Sequence, residues 1–195
     1  GTGSDVDLSN YSLSNCNNGC DIANQFDYPN TVTFNAGTIL ANGDVYVIAH
    51  PSADGSIVAD QTHQYLSNGD DAYALTLAGA TADTYTIIDI VGDMQAADPG
   101  DGWEVAGIAD ATKDHTLVRK CSITDGNTDW AASAGTNADD SEWVVYEINT
   151  WDYLGSHTEL QASILGCTDA SANNYNSDAT SDDGSCTYDI SGCTD

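Results

Sequence analysis

Short segments in which apolar and polar side chains alternate recur along most of this chain, each ended by Gly, Asn, Asp or Ser. Val6-Asp7-Leu8-Ser9-Asn10-Tyr11-Ser12-Leu13 is the first, and Thr31-Val32-Thr33-Phe34 follows. Ile39-Leu40 leads through Ala41-Asn42-Gly43-Asp44 into Val45-Tyr46-Val47-Ile48-Ala49, an Asn-Gly arrangement that predicts a hairpin. Ala72-Tyr73-Ala74-Leu75-Thr76-Leu77, Thr86-Ile87-Ile88-Asp89-Ile90-Val91, His115-Thr116-Leu117-Val118-Arg119 and Trp143-Val144-Val145-Tyr146 complete the series. A period of two places successive side chains on opposite faces of a strand, and no comparable run has the 3.6-residue period of a helix. Near-regular short strands without long helices predict an all-β sandwich.

The polar stretches between strands hold two tryptophans, Trp103 and Trp130. Large aromatics in such loops are expected to plug the sandwich core, with a ligand platform as the alternative. The series closes near Gly155-Ser156-His157. From Gly166 onward the chain turns to Asn, Asp, Ser, Thr and Cys, with little to bury. The expected organisation is a sandwich over residues 1–158, a linker over 159–165 and a small acidic extension over 166–195.

Charge narrows the partners. Thirty-one Asp and Glu face three Lys and Arg, for a formal net charge of −28 in 195 residues. Such a surface repels phosphate backbones and anionic lipid headgroups, which argues against nucleic acid and against membrane insertion. No apolar run reaches transmembrane length. The opening Gly1-Thr2-Gly3-Ser4 is not a signal peptide, so the chain reads as a piece of something longer.

Six cysteines occur, and none of their spacings matches a zinc knuckle or a redox pair. Disulfides in an oxidising compartment are the better reading. Cys16 and Cys20 share one Asn- and Gly-rich turn, so a bridge between them is expected, two separately paired thiols being the alternative. Cys167 and Cys186 bracket the acidic segment, and a bridge there would contribute about 3 kcal/mol by loop entropy. Gly166-Cys167-Thr168-Asp169 recurs as Gly192-Cys193-Thr194-Asp195, giving Cys193 the role of Cys167 in a second, truncated repeat.

Within the first repeat, Asn174, Asn176, Asp178, Asp182 and Asp183 offer closely spaced oxygens beside Gly184. Flexible oxygen-rich loops hold calcium, which makes calcium the candidate cofactor. The spacing is not that of an EF-hand, and a solvated acidic loop remains the alternative.

Asp7-Leu8-Ser9-Asn10-Tyr11-Ser12-Leu13 and Ala36-Gly37-Thr38-Ile39-Leu40-Ala41-Asn42-Gly43-Asp44-Val45-Tyr46-Val47-Ile48 resemble the lamin-tail domain of secreted Bacteroidetes-type proteins. Leu66-Ser67-Asn68-Gly69-Asp70-Asp71-Ala72, His115-Thr116-Leu117-Val118-Arg119 and Asp129-Trp130 fit the same pattern in the same order. The resemblance implies an immunoglobulin-like β-sandwich used for binding and attachment, with no catalytic residues. The tail resembles the short Cys-bounded repeats of exported proteins from the same bacteria. Family members carry a further strand before the segment matching Gly1-Thr2-Gly3-Ser4. Here it belongs to a missing segment, or a neighbouring chain donates it by β-augmentation.

No Gly-x-Ser-x-Gly elbow, His-Glu-x-x-His or P-loop occurs. His50, His63, His115 and His157 lack zinc spacing, and acidic pairs such as Asp70-Asp71 and Asp139-Asp140 arise by chance in so acidic a chain. Cys121 is expected to pack as a small apolar side chain, and Arg119 to anchor a carboxylate or carbonyl inside the sandwich. The expectation is a non-enzymatic extracellular or cell-surface module that binds or adheres to a protein or glycan. The alternative is the accessory domain of a secreted nuclease or phosphatase.

Overall fold

The computed structural model describes residues 3–157, 165–176, 181–182 and 184–188. The chain divides into two compact units, Gly1–His157 and Thr158–Asp195.

The first unit is all-β and sandwich-like. Its main sheet is antiparallel and four-stranded, ordered β3 (Tyr28–Thr33), β2 (Tyr11–Cys16), β7 (Ala72–Leu77) and β8 (Ile87–Val91). A second antiparallel pair joins β9 (His115–Arg119) to β10 (Trp143–Ile148). Two-residue strands complete it: β1 (Val6–Asp7) with β4 (Ile39–Leu40), and β5 (Ile48–Ala49) in parallel with β6 (Gln61–Thr62). The only α-helix among the described residues is α1 (Trp130–Ala134), started by the Asp129 carboxylate accepting from the Ala132 N–H.

Register fixes which side chains share a face. Ser12, Ser14 and Cys16 of β2 lie opposite Thr76, Ala74 and Ala72 of β7, and all six are fully buried. Cys16, Ala72 and Ala74 join Ile90, Phe26, Met94, Trp103 and Trp130 in one apolar cluster, against which Leu117, Trp143 and Val145 of the β9–β10 pair pack. Small residues on the strands leave room for large aromatics from the loops, so the core is filled by complementary sizes. Trp103 and Trp130 are therefore core side chains, with the Trp103 indole N–H donating to the Asp71 carbonyl.

The hydroxyls on this face satisfy one another. Thr76 Oγ1 lies 3.0 Å from Ser12 Oγ and 3.2 Å from Ser14 Oγ, while Asn30 accepts from Ser12 and its backbone N–H donates to Ser14. Buried hydroxyls without partners would each cost about 1–3 kcal/mol, so this seam demands the Asn30 position.

Two expectations are corrected. The first alternating segment is not one strand: Leu8–Asn10 form a 3-10 turn because the Asp7 carboxylate accepts from the N–H and hydroxyl of Ser9, a local bond that competes with a ladder. Asn42-Gly43 makes a turn, with the Asp44 N–H donating to the Ala41 carbonyl, but no hairpin. Gly43 alone of the pair takes positive φ (87°), a turn whose twist splays its flanks, and β4 and β5 pair elsewhere.

In the second unit β11 (Leu165–Gly166) runs parallel to β12 (Ser181–Asp182), and Cys167 is bridged to Cys186.

Candidate functional site

Arg119, on β9, places its guanidinium between two carboxylates. Nη2 lies 2.9 Å from Asp89 Oδ1 of β8, and Nη1 lies 3.1 Å from Glu142 Oε2, just before β10. The guanidinium carbon sits 4.3 Å from the centre of the Trp143 ring, and the side chain is 12% exposed. Glu142 is used twice more, accepting from Asn127 Nδ2 and from the Ser133 hydroxyl, which itself accepts from the Trp143 indole N–H. Desolvated charges are tolerable only when paired and hydrogen-bonded, and both terminal guanidinium nitrogens meet that condition while Nε is buried without a partner. It ties β8, β9, β10 and α1 together and leaves Glu142 occupied.

The acidic pairs are also local structure. Asp140 accepts from the N–H groups of Thr136 and Asn137 and from the Thr136 hydroxyl, bonds that hold its carboxyl below the usual carboxylate range. Asp71 accepts from the Asn18 N–H, yet its carboxyl is pushed up, first by burial and then by neighbouring Asp70. The histidines are dispersed: His115 Nδ1 bonds the Tyr146 carbonyl, His157 Nε2 the Arg119 carbonyl, His50 accepts from Ser52, and His63 stands edge-on to Tyr65. Cys121 is a half-buried thiol outside any disulfide.

Of the residues singled out from sequence, Cys16 is bridged to Cys20 and Cys167 to Cys186, with Cα separations of 4.7 and 4.8 Å. In the tail, Asn174 donates to the Ser185 carbonyl and accepts from the N–H and hydroxyl of Thr187, so its amide closes the repeat. Asp182 accepts from the Gly184 N–H, and Asn176 donates its N–H to the Cys167 carbonyl. Asp178, Asp183 and Cys193 lie outside the described residues. Among the described residues, no group of three or more His, Cys, Asp and Glu is placed to hold a metal ion, and no helix is long and apolar enough to cross a membrane.

Clefts open at several places on the first unit. One of about 520 Å³ lies between Val47, Val58, Trp151 and Leu154 and is rimmed by Asp44 and Asp60. A second, of about 290 Å³, is lined by Asp71, Thr112, His115 and Trp143 among others. The third, also about 290 Å³, is lined by Asn15, Asn17, Tyr28, Thr31 and Tyr65, none of them a carboxylate or a cation.

This third cleft follows from a register slip. Between Leu13↔Val32 and Asn15↔Tyr28, two steps along β2 are matched by four along β3, and the extra residues bulge with Asn30 at φ 53°. The bulge carries Tyr28 and Thr31 around the cleft, on the sheet face opposite the apolar cluster. Asn15 continues the Tyr11, Leu13 row of that face, where the alternation calls for an apolar residue. That misplaced amide is the one sequence signal that marks the site. Tyr28 and Tyr65, far apart in the chain, give no such sign.

Comparison with family models, curated proteins and solved structures found no match.

Proposed function

We propose that this chain is a non-catalytic binding and structural module of a larger exported or cell-surface bacterial protein, of the lamin-tail type. Two disulfides are bonds that an oxidising compartment sustains, and the all-β sandwich-like architecture is in keeping with that family. The observation that carries the reading is the contrast in polar groups. Arg119, Asp89 and Glu142 are consumed in one ion-paired cluster, whereas a cleft with uncharged amide and aromatic walls stays open on the opposite sheet face. Rigid scaffolds that display a few convergent polar groups in a concave wall are binding sites.

The test is saturable binding of the labelled chain to bacterial envelope preparations, with parallel assays on plasmid DNA and a chromogenic phosphate ester. Saturable binding without turnover supports the proposal, and turnover by the purified chain contradicts it. Calcium belongs to the same proposal as a ligand of the tail, with Asn176 and Asp182 among its donors. Calorimetric titration of the whole chain with calcium tests it, and the absence of a saturable heat removes it.

A further inference from the structure

The third cleft specifies the kind of ligand, an argument that rests on the binding-module reading. Its walls are aromatic: Tyr28 is 52% exposed and Tyr65 74% exposed, although both are large side chains. Its floor is amide and hydroxyl. Asn15 is 3% exposed, its Nδ2 donates to Asn17 Oδ1 at 2.7 Å, and its Oδ1 accepts no hydrogen bond among the described residues. A buried acceptor without a partner requires an explanation; His63 Nε2, Asp70 Oδ1 and Arg119 Nε share that state, and Asn15 is the one of the four that lines this cleft. It calls for a ligand that brings a donor.

Three ligand chemistries meet aromatic walls, and the cleft separates them. A proline-rich peptide stacks on tyrosines but supplies carbonyl acceptors in place of N–H groups, leaving Asn15 Oδ1 unmet. A cation brings donors and is drawn to a chain of net charge −28. Inside the cleft, however, it would lose water without meeting a carboxylate, an unfavourable exchange. A neutral sugar ring brings hydroxyls that both donate and accept, and its C–H face lies against the electron-rich face of a tyrosine. The cleft, about 290 Å³, is at the small end of ligand pockets, the size range of one ring.

The site is also held in place before any ligand arrives. The turn that carries Asn17 is closed by the Cys16–Cys20 bridge. Asp27 accepts from the N–H groups of Asn17 and Asp21, Asp71 from that of Asn18, and the Cys20 N–H donates to the Gln95 carbonyl. Gly19 takes φ 83° where an added Cβ would meet the Ala97 carbonyl oxygen at 2.7 Å, so the turn lies flush on the 95–97 segment. On the other wall, the Tyr73 hydroxyl donates to the Tyr65 carbonyl. Pre-ordered walls lower the entropy lost on binding.

We infer that the cleft between Tyr28 and Tyr65 binds one ring of an uncharged carbohydrate, with Asn15 Oδ1 accepting from a sugar hydroxyl and the tyrosines stacking on the ring.

The test uses the intact chain with glucose, galactose, mannose and N-acetylglucosamine, as single sugars and short oligosaccharides, read by saturation-transfer NMR and calorimetry. A proline-rich peptide and an oligolysine serve as competing probes. At least one sugar is expected to bind saturably, with little dependence on salt. Tyr65→Ala should weaken it about tenfold or more with an unchanged Tm, and Tyr65→Phe should retain it. No saturable sugar binding, or binding undiminished in Tyr65→Ala, overturns the inference. So does binding of either peptide probe in place of the sugars. Envelope binding that persists in Tyr65→Ala, with no sugar bound, overturns the cleft assignment alone and leaves the module reading intact. Turnover of DNA or phosphate ester overturns the module reading itself.

Discussion

The Arg119 cluster and the Tyr28–Tyr65 cleft use buried polar side chains in opposite ways. Around Arg119, both terminal guanidinium nitrogens and both Glu142 oxygens have partners from the chain itself, only the buried Nε lacking one, and an indole face covers the charge. Around Asn15, one amide group is bonded within the chain and the other is left over beside two exposed aromatic rings. The comparison teaches how to divide polar groups of a fold into those that hold it and those kept for something else. A network whose charges are paired specifies structure, and a residual acceptor in a preorganised wall specifies recognition.

The contrast breaks most visibly at Arg119. Arg119→Ala strands Asp89 and Glu142 in a partly desolvated site, and urea unfolding should show a loss of about 3–5 kcal/mol. Arg119→Lys should recover only part of it, since an ammonium cannot span both carboxylates as the planar fork does. A loss below about 1 kcal/mol, the range of a surface ion pair, would remove the cluster's structural role.

A smaller effect is expected at the bridge beside the cleft. Replacing Cys16 and Cys20 by Ser releases a short loop, for a stability loss of about 2 kcal/mol. Sugar affinity should fall with it because Asn17 loses its fixed turn. Retained affinity would show that the bridge supports the fold without ordering the cleft.

Asp71 gives a smaller, pH-dependent difference. Its carboxyl is pushed up in the folded chain, so the fold binds that proton more tightly than the unfolded chain does. The resulting stability is present at low pH and lost as pH rises through the folded value. Asp71→Asn should therefore be slightly more stable than the native chain near neutral pH. The gap should close below the ordinary carboxylate range. Exposed Asp140, whose carboxyl is held down, behaves with the opposite sign: its contribution is present above the ordinary range and lost on acidification. Denaturation curves across pH for Asp71→Asn and Asp140→Asn check both directions.

The smallest stability effect belongs to the cleft wall. Tyr65→Ala should leave unfolding free energy within about 0.5 kcal/mol of the native chain, as for surface positions outside special features. A larger loss would make Tyr65 part of the fold.

Much of the fold was legible because alternation is local. Ala72–Leu77, His115–Arg119 and the Trp143–Tyr146 part of β10 stand out as strands, and Trp103 and Trp130 read as core plugs because their bulk has to be buried. The face assignment of β2 was harder to read. Ser12 and Ser14 point into the fold and are fully buried, whereas Tyr11 and Leu13 are only half-buried, because a hydroxyl seam with Thr76 and Asn30 replaces apolar packing there. The Asn42-Gly43 turn was legible, but its flanking strands choose partners by long-range contacts that sequence spacing does not encode. Arg119 drew notice as one of three cations among thirty-one acids, while its partners Asp89 and Glu142 lie far along the chain. The cleft was the least legible feature, since it needs a bulge in β3 to bring Tyr28 and Thr31 together with Asn15.

Backbone amide chemical-shift mapping of the intact chain against a saturating neutral oligosaccharide tests the account most directly. The expected shifts gather on Asn15, Asn17, Tyr28, Thr31 and Tyr65 and leave the strands around Arg119 unmoved. Shifts centred on the Asp44–Trp151 groove or on the Thr112–His115 cleft, or no shifts with any neutral sugar, would contradict it.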